Sequence, residues 1–167
     1  GNQVKDQDYD NALFRELSSS PATMQAAKSC DMYGLLPGNA TEQADATQAY
    51  TQAKLGGDIA TWIRLPRERW PESWSNMRDP VCRLQLALYG HPDSGGDWER
   101  HCGHAVMSEG FVPIQDWRSC YWHPELELCL IIYVDDFKMS GPVGNLKLGW
   151  EKIRKSLVID DPTPSGK

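Results

Sequence analysis

Two adjacent carboxylates, Asp135 and Asp136, stand between runs rich in apolar residues. Asp is a favoured turn residue, so a bare Asp-Asp pair reads first as a polar turn. Here the β-prone run Leu126–Tyr133 comes before the pair and Phe137–Ser140 after it. That pattern predicts a hairpin whose tight link is Val134-Asp135-Asp136. Two carboxylates on a turn held against a core repel each other, which disfavours folding unless a cation binds. Hard oxygen donors with no His or Cys beside them suit Mg²⁺ or Mn²⁺ rather than Zn²⁺.

The elements that would position this turn follow from periodicity and punctuation. Residues 1–20 are polar and acidic and predict a loosely ordered lead-in. Ser20 and Pro21 predict the N-cap and first position of a helix that stops at Gly34. The turn-rich Pro37-Gly38-Asn39 leads into 42–55, and Asp45 falls there. Residues 62–80 hold Pro66, Pro71 and Pro80 and predict an irregular connection with one short strand near Thr61–Leu65. Val81–Leu88 alternates and predicts a strand. Past the turn residues His91–Gly96, the positions Trp98, Cys102, Ala105 and Val106 give the apolar face of a helix ended by Gly110. Ser94 and Asp97 stand at capping-box spacing. A last helix spans about Asn145–Leu157, with Leu146, Trp150, Ile153 and Leu157 on one face; Lys147, Lys152, Arg154 and Lys155 lie mostly off it. Pro162 and Pro164 mark the end of regular structure.

The 167 residues suffice for one compact domain, and seven Trp argue that it is packed rather than disordered. No apolar run approaches the ~20 residues of a membrane span, and the start of the chain lacks a signal-peptide layout. The five cysteines include no C-x-x-C pair, so they read as free thiols in a reducing, intracellular compartment. A net charge of −6 argues against a broad nucleic-acid-binding face. His101, Cys102 and His104 cluster, but neighbours on a helix splay apart, so a zinc site is the weaker reading. Trp62, Trp70 and Trp74 would serve either as a base-stacking platform or, as the better reading, as packing for the connection.

Four blocks in order carry a resemblance. Tyr133-Val134-Asp135-Asp136 resembles the Y-x-D-D signature of reverse transcriptases, and its surroundings are similar to the copia-type retrotransposon pattern. Asp45, followed five residues later by Tyr50, resembles the first palm motif. Val81-Cys82-Arg83-Leu84 with Leu88-Tyr89-Gly90 resembles the block that leads to the family's Trp, here Trp98, and Gly110-Phe111 resembles the pair closing the next helix. The resemblance spans about residues 20–161.

The resemblance implies an α+β fold: a reverse-transcriptase-like palm with partial fingers over residues 21–161, a small antiparallel sheet with helices packed on one face, and a tail at 162–167. It implies RNA-directed DNA polymerisation on an RNA template and DNA primer with dNTPs. Two Mg²⁺ (or Mn²⁺) ions, about 3.5–4 Å apart, would be held by Asp45 and Asp135, with Asp136 as a secondary ligand and the Ala46 carbonyl as a further one. Tyr50 would be the sugar gate, and Tyr133, Val134 and Asp93 would border the substrate. Thumb, RNase H and integrase would lie elsewhere in a polyprotein acting in a cytoplasmic particle or the nucleus. One segment departs: where the family has Leu-Lys-Gln-Ala-Pro-Arg this chain has His91–Gly96, with Asp93 in place of the nucleotide-contacting Gln. That departure and the acidic charge leave open a degenerate, non-catalytic palm serving as a nucleic-acid-binding or structural module.

Overall fold

A computed structural model describes residues 21–57 and 60–165. The expected lead-in, Ser20 with it, lies outside the described residues. Among the described residues the fold is α+β, a six-stranded antiparallel sheet with four helices.

Helix α1 (Met24–Gly34) leads into strand β1 (Asn39–Asp45) and the single turn α2 (Ala49–Gln52). A two-stranded ribbon follows, β2 (Trp62–Ile63) with β3 (Cys82–Arg83), joined through two 3-10 turns. Helix α3 (Ser94–Ser108) precedes β4 (Val112–Pro113), β5 (Cys120–His123), β6 (Leu128–Tyr133) and β7 (Asp136–Pro142). Helix α4 (Val143–Ile153) and β8 (Thr163–Pro164) complete the chain. The main sheet runs β4-β5-β6-β7-β1-β8, so β1 lies beside β7, with its end next to the hairpin turn.

Alternation along the strands divides the core. Leu128, Leu130 and Ile132 of β6 and Phe137 and Met139 of β7 point to one face, where Trp98, Cys102 and Val106 of α3 and Leu146, Trp150 and Ile153 of α4 cover them. This is the helix-covered face expected. The other face has a cover of its own: Ala26 and Cys30 of α1 pack on Cys120 and Ile131. Because both faces of β6 are covered, its sequence is a nearly continuous apolar run rather than a polar–apolar alternation.

Several boundaries differ from expectation. The cap of α1 is Thr23, whose hydroxyl accepts the Ala26 amide at 3.2 Å. Ser94 does not open a capping box. Its hydroxyl accepts the Leu88 amide at 2.8 Å, while the buried Asp97 carboxylate accepts the Gly56 amide at 2.7 Å and pairs with Arg100. The strand over Val81–Leu88 is cut to two residues plus a bridge from Leu86 to Lys54. Val81, Leu86 and Leu88 stay exposed, and the small Ala87 is the residue that enters the core. Helix α4 ends at Ile153, yet Leu157 is buried with it. Lys152 and Lys155 are not merely solvated, since both bond to Glu109. Regular structure continues past Pro162, because Thr163 and Pro164 pair with Gln43 and Glu42 on the edge of β1. Trp70 and Trp74 pack edge to face within the connection, while Trp62 is exposed.

Gly34 is required by a close approach. A Cβ there would lie 1.9 Å from the Thr41 hydroxyl, at the point where α1 meets β1. Gly34→Ala is expected to cost roughly 1–3 kcal/mol by overpacking. The check is urea unfolding followed by circular dichroism, and an unchanged midpoint would contradict the packing described.

Candidate active site

The hairpin β6–β7 closes through only two residues, Val134 and Asp135, because Tyr133 and Asp136 are already paired. Val134 has φ +57°, a left-handed conformation that a β-branched side chain rarely adopts. Two contacts hold the turn there. The Trp98 indole N–H donates to the Val134 carbonyl at 2.6 Å, and the Ala46 amide donates to the Asp135 carbonyl at 2.8 Å. Helix α3 and the end of β1 thus grip the two peptide carbonyls, and the carboxylates are left to project. Strain of this kind persists only where the surroundings over-determine it, and it clusters at functional positions.

Asp45, the last residue of β1, lies directly opposite Asp136 across the β1–β7 ladder. The structure thus brings together Asp45 and the hairpin carboxylates from distant parts of the chain. The immediate neighbour of Asp45 is Asp136, not Asp135. Burial, then the charges of Asp135 and Asp45 and a hydrogen bond with Asp45, hold the Asp136 carboxyl above its ordinary 3.8. Asp135, on the turn, is the charge that reaches Tyr50: burial first, then the neighbouring Tyr89 and Asp135, push the Tyr50 phenol up.

Ala46 bridges to Ile159 on its outer side and to the turn on its inner side. A strand residue's N–H and C=O share one edge, so the Ala46 carbonyl is turned towards the Asp135 side as well. Tyr50 sits on α2, half-buried, with the Tyr89 ring 4.3 Å from its own. Tyr50 and Val134 share a small cavity of about 30 Å³ with Gly95 and Trp98 at the start of α3. Tyr133 is exposed beside the turn. Asp93 precedes α3 as its N-cap without a capping side-chain bond, and its backbone contacts stay within 91–97. Two contributors went unassigned by sequence reasoning. The first is the Trp98 N–H, signalled by an indole on a buried helix face that must find an acceptor. The second is the Tyr89 ring, which has no such signal.

The donor chemistry here suits a hard divalent cation: carboxylate oxygens of like charge, with the Asp136 carboxyl raised by burial and then by its acidic neighbours. Among the described residues, however, no group of three or more His, Cys, Asp and Glu side chains is arranged to hold a metal ion. The site is therefore a close carboxyl pair with a third carboxylate beside it. Cys102 of the His-Cys-His cluster points into the core, where burial pushes its thiol up.

The raised Asp136 carboxyl has a consequence for stability. The folded chain keeps this proton at pH values where the unfolded chain has released it. The contribution is therefore present at low pH and is lost as pH rises from 3.8 through the raised folded value. Asp136→Asn is expected to flatten that slope. Between exposed, water-screened carboxylates it should add only about 0.5 kcal/mol at neutral pH. Urea unfolding at several pH values from 3 to 7 reads both effects, and an unaltered slope would contradict the pairing.

Among the described residues no helix is long and apolar enough to cross a membrane. No family model matches the chain, and no curated protein matches it. Among solved structures, telomerase from Candida albicans in complex with a TWJ fragment of telomeric RNA is similar at a TM-score of 0.46 and 10% identity, over 90% of this chain. The chain spans 31% of that telomerase chain. A likeness at that level identifies neither a family nor an activity.

Proposed function

We propose that this chain is the palm, with part of the fingers, of an RNA-directed DNA polymerase of the copia retrotransposon type. The observation that carries the reading is the meeting of Asp45 with Asp136 across β1 and β7, with Asp135 on the strained turn beside them. Asp45, Asp135 and Asp136, with the Ala46 carbonyl, would hold Mg²⁺ or Mn²⁺. Such ions lower the pKa of the primer 3′-hydroxyl and offset charge on the triphosphate. The chain's own residues supply position. The Trp98 and Ala46 N–H groups fix the turn, and Tyr50, backed by Tyr89, would be the gate against a ribose 2′-hydroxyl. Preorganised charge rather than covalent chemistry from the protein then lowers the barrier.

The test is primer extension on an RNA template with dNTPs and Mg²⁺ or Mn²⁺. Template-dependent elongation is expected. Its absence, both from this chain and from a version extended past Lys167, would contradict the reading.

One observation favours a second reading, a palm that has lost catalysis and is kept as a nucleic-acid-binding or structural module. Among the described residues no three acidic side chains close on a cation position. A chain of this kind would bind no divalent ion at the corner.

A further inference from the structure

The sheet face beneath α1 carries three cysteines on three elements: Cys30 on α1, Cys120 on β5 and Cys129 on β6. All three are free thiols. Cys129 is the cross-strand partner of Ser140, and Cys30 Sγ reaches both strands at that point. It lies 3.2 Å from the Ser140 hydroxyl and 3.8 Å from the Cys129 carbonyl oxygen. From these positions we propose that Cys30 and Cys129 are an oxidant-responsive modification site, closing to a disulfide that fastens α1 to β6. The proposal is independent of the polymerase reading.

The surroundings give the two sulfurs different roles. The neighbouring Cys129 thiol is the largest influence holding the Cys30 thiol below its usual range. Burial opposes the shift, and the Ser140 hydroxyl adds to it. The same contact, followed by burial, moves the Cys129 thiol up. Cys30 is thus the sulfur that gives up its proton more readily, and Cys129 the one that keeps it. Asp31 and Lys138 also face Cys30, but they are paired with each other at 2.9 Å and act on it in opposite directions. Cys120 is pushed up to about 11, chiefly by burial, and stays a thiol.

The oxidant is a small hydroperoxide such as hydrogen peroxide. The Cys30 thiolate attacks one peroxide oxygen and breaks the O–O bond. That gives a sulfenic acid on Cys30 and hydroxide, which takes up a proton to become water. The Cys129 sulfur then attacks the Cys30 sulfur. The S–S bond forms, the S–O bond breaks, and the departing hydroxide takes the Cys129 proton to leave as water. Two thiols lose two electrons in total, and the peroxide is reduced to two waters. Cys30 is 1% exposed, so the first step needs α1 to lift locally from the sheet. The linked residues are 99 apart in sequence, a long loop whose closure restricts the unfolded chain strongly.

The experiment treats the full chain with hydrogen peroxide, blocks remaining thiols with N-ethylmaleimide, and maps disulfide-linked peptides by mass spectrometry. Thermal melts with and without dithiothreitol accompany the mapping. The expected result is a Cys30–Cys129 linked peptide, an intact mass lower by two hydrogens, and a melting temperature several degrees higher that dithiothreitol reverses. Cys30→Ser and Cys129→Ser should each lose the link and the shift, while Cys82→Ser keeps both. Mapping of the unsubstituted chain decides the case even if a serine variant folds poorly. A link through Cys120, added oxygen without a link, or five unlinked thiols after treatment would overturn the proposal.

Discussion

Asp45→Asn and Asp135→Asn are each expected to lower primer extension by at least ~100-fold, the scale on which removal of one preorganised charge-stabilising group slows an enzyme. Each substitution keeps shape and removes a negative oxygen donor. Asp45 ends β1 and Asp135 projects from a turn whose two carbonyls are gripped by Trp98 and Ala46, so an Asn at either place occupies the same position without the charge. Asp136→Asn is expected to fall less, in keeping with its place as the secondary ligand of the proposed site. Steady-state extension assays rank the three. If Asp136→Asn is the more damaging and Asp135→Asn the milder, the roles of Asp135 and Asp136 are the reverse of those proposed, in keeping with the direct register of Asp136 against Asp45.

The largest effect on stability is expected at Trp150. Its ring is 2% exposed between α4 and the sheet, and its indole N–H donates to Glu42 Oε2 of β1 at 2.8 Å. Trp150→Ala removes the largest side chain on the inner face of α4 and should cost about 3–5 kcal/mol. Domains of this size are stable by only about 5–15 kcal/mol, so the variant would be near its unfolding midpoint in water. Trp150→Phe keeps most of the packing and unpairs the Glu42 carboxylate, which should cost about 1–2 kcal/mol. Chemical denaturation followed by far-ultraviolet circular dichroism separates the two. Equal losses from both substitutions would mean that the hydrogen bond, not the ring, ties α4 to β1.

What the sequence made legible follows from the length and regularity of each signal. The β6–β7 hairpin, α3 and α4 announce themselves because long apolar faces recur at a period of two or 3.6, and every apolar position expected on α3 and α4 is buried. Strand β5 escaped because Cys120–His123 is four residues long and sits among Arg118, Ser119 and Pro124, with no run of alternation. Strand β8 escaped because it contains Pro164, which can sit only where no ladder donor is needed, here at an edge. The carboxylates at the site were legible one by one, through the Asp-Asp pair and the strand-end Asp45. Their pairing was not, because it depends on the β1–β7 register, and that register is set by Gly34, Thr41 and Ser140 meeting beneath α1. A one-residue slip would turn Asp45 to the other face.

The corner formed by Asp45, Asp135 and Asp136 is proposed as a divalent-cation site. Calorimetric titration of the full chain with Mn²⁺, beside Asp45→Asn, tests it most directly. Saturable binding that the substitution abolishes is the predicted result. No saturable binding, or binding that survives Asp45→Asn unchanged, would contradict the account.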